Sequence, residues 1–175
     1  FLIRGLSFSV GRGDRIGVVG PNGRGKTTLL RLLAGELSPQ SGTVRPAVNV
    51  AIGHFGQTNV ERLHPGLPVE EEIRQANPSL TRTRVRTLCG AVMFEGDAAE
   101  KRIAMLSGGE RSRVLLGKIL ATPVNVLLLD EPTNHLDAES VAWLERHLAE
   151  YPGTVVAVTH DRYFLDNVAG WILEL

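Results

Sequence analysis

The stretch GPNGRGKTTLLRLLAGEL, from Gly20 to Leu37, decides the fold class of this chain of 175 residues. It places three glycines, a proline and a lysine before a leucine-rich run, and four of its residues match the pattern G-x-x-x-x-G-K-[ST]. The stretch follows RIGVVG, a nearly all-apolar run that is typical of a parallel strand covered on both faces. Strand, glycine loop and helix in this order predict a loop that binds phosphate.

Each part of the predicted loop has a physical role. The glycines let the backbone bend so that successive N–H groups point at a phosphate, and the helix that follows adds its positive N-terminal dipole. Lys26 would neutralise the β and γ phosphates, and the hydroxyl of Thr27 would face magnesium. A glycine-rich turn that only caps a helix is the alternative. The residues expected to hold the nucleotide here are Gly20, Pro21, Asn22, Gly23, Arg24, Gly25, Lys26, Thr27 and Thr28.

Two further apolar runs, VNVLLLD and TVVAVTH, end at Asp130 and His160. An amphipathic helical segment, which Asp137 is placed to cap, lies between them. Strand, helix and strand in succession predict a right-handed parallel crossover. In such sheets ligands bind beyond the carboxyl ends of the strands, which is where Gly20, Asp130 and His160 fall.

Polar residues at these strand ends suggest the chemistry of nucleotide hydrolysis. Asp130 would hold magnesium, and Glu131 is placed to polarise an attacking water as general base. The two carboxylates could instead cap the turn that follows. His160 is a candidate donor to a γ-phosphate. The amide of Gln57, which ends VAIGHFGQ, could reach the magnesium or the water.

The stretch LSGGERSRVLLGKIL predicts a second anion site. Ser107, Gly108 and Gly109 precede an amphipathic helix, so backbone amides and a helix dipole again face outward. A simple Ser-Gly-Gly helix cap explains the same residues. Two phosphate loops beside one set of acids suggest that each nucleotide is shared between two such modules.

Composition restricts the class of protein. Basic and acidic residues number 19 each, so no global field favours nucleic acid. The single cysteine, Cys89, excludes an internal disulfide and is expected to be buried, and a reducing cytoplasm is the default. No apolar run approaches the roughly 20 residues that a membrane span needs, so we expect a soluble chain. Both ends suggest a piece of a longer protein.

Two more segments bear on the fold. LSFSV, Leu6 to Val10, alternates apolar and polar residues as a strand does. From about residue 60 to 104 prolines are followed by RVRTLCGAVMF, which predicts a small helical insertion. Arg82 and Arg86 share a helical face there, and a solvated helix flank is favoured over a contact with nucleic-acid phosphates.

The motifs GPNGRGKT, GQ, LSGGE, VLLLDEP, NHLD and VTHD, taken in order, resemble those of the ATP-binding cassette (ABC) ATPases over almost the whole chain. The stretches LSGGERSRV and LLLDEPTNHLDAESVAWL are similar to the corresponding motifs of the ABC-F subfamily, whose members are soluble ATPases with two tandem cassettes. The resemblance implies an α/β P-loop NTPase fold over residues 1–175, with a mostly parallel core sheet, a small antiparallel β edge and the helical insertion at 60–104.

The resemblance also implies roles and partners. ATP with Mg²⁺ would lie between the phosphate loop of one cassette and Ser107–Gly109 of a second, head to tail, with Asp137 coupling the two sites. Glu131 would be the base, Gln57 would sense the metal and the γ-phosphate, and His160 would hold that phosphate. Such proteins act on the ribosome, in translation or antibiotic resistance, through regions that this chain lacks.

Some expectations remain open at this point. No adenine-stacking residue is assigned, because Phe1 is too close to the phosphate loop. A cassette without its partner is expected to have weak ATPase activity. The energy subunit of a membrane transporter, docking on a transmembrane partner, is the main alternative to the ribosomal role. A DNA-repair ATPase head is less favoured because its long coiled-coil insertions have no counterpart here.

Overall fold

A computed structural model describes residues 3–56, 63–134 and 136–175. The chain divides into two compact units. The first unit comprises residues 1–54, 124–133 and 145–175, and the second comprises residues 55–123 and 134–144. Gln57, for which we predict contact with metal and water, lies outside the described residues, as does Phe1.

A five-stranded sheet organises the first unit. Its strands are β1 (Arg15–Val19), β2 (Ile52–Phe55), β3 (Val126–Asp130), β4 (Thr154–Val158) and β5 (Trp171–Glu174), in the spatial order β2-β3-β4-β1-β5. β1 pairs in parallel with β4 and β5, and β3 pairs in parallel with β4. The three strands predicted from apolar runs therefore lie side by side at the centre of the sheet.

The register of these pairs sets three strand ends level. Asp130 pairs with Val158 across β3 and β4, and Val158 pairs with Val18 across β4 and β1. Parallel strands end at the same edge, so the residues that follow them emerge together. This register brings Asp130 and the segments starting at Gly20 and Thr159 to one edge.

Apolar residues on both sides explain why the central strands are nearly all apolar. One buried cluster joins strands β1, β3 and β4 to α1 (Lys26–Leu33). On the other side, a side chain at Gly17 would clash with Leu165 of α6 (Arg162–Val168). The buried members of the cluster are Ile16, Val18, Leu29, Leu30, Leu128, Val156 and Val158.

The strand predicted at Leu6–Val10 is absent, and this part of the prediction is wrong. Leu6 and Phe8 are half-buried against the core cluster, whereas Ser7 and Ser9 are exposed. The side chains therefore alternate between the core and solvent as predicted, but the backbone of this segment forms no ladder of hydrogen bonds with a neighbouring strand. The small antiparallel edge expected with the fold is accordingly not built by this segment.

The second unit is helical. Its described residues form α2 (Val69–Ala76), α3 (Arg82–Ala91), α4 (Gly108–Ala121), the short 3₁₀ helices Gly96–Glu100 and Ile103–Met105, and the start of α5 (Ala138–Glu150). The helices α2 and α3 fall inside the predicted insertion. The apolar residues Val85 and Leu88 of α3 are buried, and Cys89 is fully buried as expected.

Ion pairs hold α3 to α2. Arg82 Nε lies 2.7 Å from a carboxylate oxygen of Glu70, and Arg86 contacts the same carboxylate and lies 2.7 Å from Glu100. These pairs lower the pKa of Glu70, chiefly through the hydrogen bond from Arg82. Both arginines are therefore paired with acids of the chain itself. Arg82 is exposed, as expected of a solvated helix flank, whereas Arg86 is half-buried.

Candidate functional site

The phosphate loop is held in a conformation that only its glycines adopt easily. Gly23 has φ 78° and Gly25 has φ 99°, both in the left-handed region. Gly25 is also the residue before the first turn of α1, and no side chain caps that turn. The first N–H groups of α1 thus lack side-chain acceptors, as a site for an anion requires.

Lys26 starts α1 and reaches back over the loop. Its ammonium group donates hydrogen bonds to the carbonyl oxygens of Gly20 at 2.8 Å and Pro21 at 3.2 Å, and the residue is 7% exposed. The cation is therefore held within the loop by backbone acceptors. Its position suits neutralisation of a phosphate that the loop encloses.

The two carboxylates at the end of β3 differ in environment. Asp130 is the last residue of the strand and is buried. Glu131 follows with φ 50°, an unfavourable conformation for a residue with a side chain, and its N–H donates to the carbonyl of Val158 at 2.8 Å. This backbone conformation persists because the strand ends hold it, and such strain is commonly found at functional sites.

His160 and Glu131 are brought together as the strand ends predict. The ring Nε2 of His160 lies 3.3 Å from one carboxylate oxygen of Glu131, and the main-chain N–H donates to the other at 3.3 Å. The His160 side chain is 55% exposed and that of Glu131 is 18% exposed. The carboxylate of Glu131, the candidate base, is therefore in contact with the imidazole ring of His160 at this edge of the sheet.

A pair of hydroxyl groups that sequence reasoning missed connects the loops after β3 and β4. Thr133 Oγ1 lies 3.4 Å from Thr159 Oγ1, and the buried Thr159 also accepts a hydrogen bond from the N–H of Asp161 at 3.1 Å. These threonines flank the segments that carry Glu131 and His160. Their hydroxyls help to fix the two candidate residues relative to each other.

A cavity of about 330 Å³ joins these groups. The phosphate loop, the end of β3 and the end of β4 all contribute to its wall. Among the described residues, those that line it are Asn22, Gly23, Gly25, Lys26, Thr27, Thr28, Asp130, Glu131, Val158 and His160.

The donor set of this cavity fits magnesium. The hydroxyl of Thr27 and the carboxylate of Asp130 are oxygen ligands of the kind that this ion prefers. Within the described ranges, no group of three or more His, Cys, Asp or Glu residues could hold a metal ion by itself. Magnesium is commonly held by one or two protein groups together with phosphates of the substrate, and this cavity offers such an arrangement.

The predicted second anion loop forms a complete helix cap. Ser107 Oγ accepts from the N–H of Glu110 at 3.3 Å, and Glu110 Oε2 accepts from the N–H of Ser107 at 2.8 Å. This reciprocal pair is a capping box, and it lowers the pKa of Glu110. Gly109 is half-buried, whereas Ser107 and Gly108 are exposed at the start of α4. The cap is therefore present, and a role toward anions remains a prediction.

Asp137 caps α5, as the sequence indicates. Its Oδ1 accepts from the N–H of Ser140 at 2.8 Å, and this contact with Ser140 lowers the pKa of Asp137. Arg113 of α4 lies 3.9 Å from the other carboxylate oxygen and stacks 5.3 Å above the ring centroid of Phe94. Arg113 thus connects α4 to the segment that begins α5, a link not predicted from the sequence.

Comparison with known proteins identifies the family. The family model described as ABC transporter matches residues 3–134, which include the phosphate loop, LSGGE and both carboxylates at the end of β3. The chain belongs to the ABC transporter family. The prediction from the ordered motifs is therefore confirmed.

The cassette is also similar to curated proteins along nearly its whole length. It is 42% identical to YdiF of Bacillus subtilis over 174 residues, covering 99% of this chain and 27% of that protein. It is 42% identical over 214 residues to the energy-dependent translational throttle protein EttA of Escherichia coli K12, covering 99% of this chain and 38% of that protein. These similarities support the ABC-F type. The cassette spans between about a quarter and two fifths of these relatives' lengths.

A solved structure confirms the fold. The cassette aligns with the ATP-binding cassette MJ0796, a dimer in a post-hydrolysis state with ADP and Pi, at a TM-score of 0.77 and 24% identity. The alignment covers 96% of this chain and 83% of that one. In the described part of the chain, no helix combines the length and apolar character that crossing a membrane requires.

Proposed function

We propose that this cassette binds and hydrolyses ATP as part of a cytoplasmic ABC-F protein that acts on the ribosome, in translation or antibiotic resistance. The observation that carries the proposal is one cavity lined by Lys26, Asp130, Glu131 and His160. The similarity to translational throttle proteins supports the ribosomal part.

Each residue of the cavity has a distinct role in the transfer of the γ-phosphoryl group to water. Amides of the loop and the ammonium of Lys26 hold the β and γ phosphates, and Glu131 accepts a proton from the attacking water. His160 donates a hydrogen bond to the γ-phosphate, and Gln57 contributes its amide. Magnesium, held by Thr27 and Asp130, would neutralise negative charge on the phosphates.

A second cassette would complete the site. Its Ser107, Gly108 and Gly109 would meet the nucleotide bound to the first cassette, head to tail, and Asp137 would couple the two sites. The dimeric state of MJ0796 supports such pairing. The same arrangement predicts weak ATPase activity for a single cassette.

Replacement of Glu131 by glutamine tests the assignment of the base. The amide keeps the size of the side chain but cannot accept the proton, so we expect hydrolysis to fall by about 10²- to 10⁴-fold with ATP binding retained. Phosphate release and nucleotide binding by the full-length protein measure the two effects, with the exposed Glu150→Gln as control. Near-normal turnover would remove Glu131 as the base.

Ribosome co-sedimentation tests the biological role. Full-length protein with Glu131→Gln should pellet with ribosomes in ATP but not in ADP, because the substitution preserves the ATP-bound form. Lys26→Ala in the same assay should abolish pelleting by weakening ATP binding. Protein that stays in the supernatant in both nucleotides would refute the ribosomal role.

The energy subunit of an ABC membrane transporter is the second candidate. The description of the matched family, ABC transporter, favours it. Co-purification with a transmembrane partner, in the absence of ribosome binding, would support this alternative.

A further inference from the structure

The phosphate loop contains a pair of residues with chemistry of its own. Asn22 is followed by Gly23, and no other asparagine of the chain precedes glycine. The remaining six precede valine, proline or histidine: Asn49, Asn59, Asn77, Asn125, Asn134 and Asn167. Glycine after asparagine leaves the intervening peptide nitrogen unshielded, because glycine has no side chain.

The structure exposes this pair at the tip of a turn. The N–H of Arg24 donates to the carbonyl of Pro21 at 3.4 Å, a long hydrogen bond that closes the turn around Asn22 and Gly23. Both central residues are exposed. Among the described residues other than its two chain neighbours, none has a heavy atom within 4 Å of the position that a Cβ of Gly23 would take. The side-chain amide of Asn22 forms no hydrogen bond with the described residues. The Asn22 side chain is therefore free to approach the peptide nitrogen of Gly23.

We infer that Asn22 is a site of spontaneous deamidation that inactivates the phosphate loop. The peptide nitrogen of Gly23 loses its proton and attacks Cγ of Asn22, so that a new C–N bond forms. The bond from Cγ to Nδ2 breaks, and ammonia leaves a cyclic succinimide. Water then opens the ring at either carbonyl, which yields aspartate or isoaspartate at position 22.

Both products oppose phosphate binding, and this step rests on the proposed function. Asn22 lines the same cavity as Lys26, so a carboxylate there repels phosphate and competes for the ammonium. Isoaspartate also moves the main chain through the side-chain carbon, which disturbs the alignment of N–H groups around the anion. We expect ATP binding to weaken by roughly tenfold or more.

Bound nucleotide should protect the site. Phosphate oxygens that accept hydrogen bonds from loop N–H groups hold the turn closed, whereas the attack by the Gly23 nitrogen needs the turn to open. The modification would thus accumulate in protein that stands without ATP and would remove that protein from the active pool.

Trypsin isolates the site for measurement. Cleavage after Arg15 and Arg24 releases Ile16–Arg24, in which Asn22 is the only amide side chain. Cleavage after Arg74 and Arg82 releases a control peptide, Gln75–Arg82, in which proline follows Asn77 and offers no N–H for the attack. Full-length protein is incubated at mildly alkaline pH with Mg²⁺, with or without ATP, and both peptides are followed by mass spectrometry and by an isoaspartate methylation assay.

The expected result is a mixture of aspartate and isoaspartate at position 22, formed faster than any change at Asn77, slowed by ATP and parallel to loss of ATP binding. Fresh Asn22→Asp protein should bind ATP more weakly than the wild type. The affinity of Asn22→Ser for ATP, whatever its starting value, should not fall further during the incubation. An unmodified Asn22, or conversion that ATP does not slow, would overturn the inference. Failure of fresh wild-type protein to bind ATP would instead overturn the proposed function.

Discussion

Replacement of Glu72 by glutamine offers a sharp test of how the second unit is held together. The carboxylate of Glu72 is fully buried and contacts the ammonium of Lys118, near the end of α4. It also accepts a hydrogen bond from the main-chain N–H of His64 at 3.2 Å and lies 3.0 Å from the ring Nδ1 of that residue. One buried charge thus joins α2, α4 and the segment before α2.

The substitution leaves the partner cation without its counter-charge. Removal of one member of a buried ion pair costs about 3–5 kcal/mol. Because the Lys118 side chain is 21% exposed and glutamine keeps one oxygen acceptor, we expect the lower end of this range. A loss of about 3 kcal/mol makes local opening of α2 and α4 roughly a hundredfold more frequent.

Amide hydrogen exchange in the full-length protein reports this opening directly. Glu71→Gln is the matched control, since Glu71 also lies in the first turn of α2 and loses the same favourable interaction with the helix dipole. Its partner Arg74 is exposed, so its ion pair contributes little. Equal exchange rates in the two variants would refute the reasoning that burial of Glu72 makes its ion pair costly to break.

Further predictions concern packing, reactivity and pH. Gly117→Ala on α4 would place a methyl group 2.7 Å from Cδ1 of Ile73, so urea unfolding should show reduced stability, whereas Gly90→Ala meets only an ordinary contact and should stabilise. Burial raises the pKa of the Cys89 thiol to about 11, so a thiol reagent should label it at neutral pH only after denaturation. Because the pKa of Glu110 is lowered in the folded state, its capping interaction contributes stability above the ordinary pKa of 4.5, and this contribution is lost as the pH falls through the lowered value. The protection factors of amides at the start of α4, taken relative to the intrinsic exchange rate at each pH, should therefore decrease over this range.

The local sequence pattern was sufficient to predict the central strands, the phosphate loop and one helix cap of this cassette. The apolar runs that end at Gly20, Asp130 and His160 contain the parallel strands β1, β3 and β4, since strands buried on both faces must be apolar. The phosphate loop was recognisable because its glycines and lysine occur at fixed spacing between a strand and a helix. Asp137 was predictable as a cap for the same reason, because capping acts within one turn of the chain.

Contacts between distant segments needed the tertiary structure. Leu6–Val10 has the alternation of a strand, but alternation records which side chains face the core and cannot supply a hydrogen-bonding partner. Thr133 and Thr159 are 26 residues apart in the sequence, and Glu131 and His160 are 29 residues apart. Each pair is brought into contact by the order and register of the strands, which local pattern does not reveal. The sequence by itself determined the elements and the chemistry that each carries, because these rest on local spacing. Only the tertiary structure decided which of those groups share a cavity, because that depends on the order and register in which the strands pair.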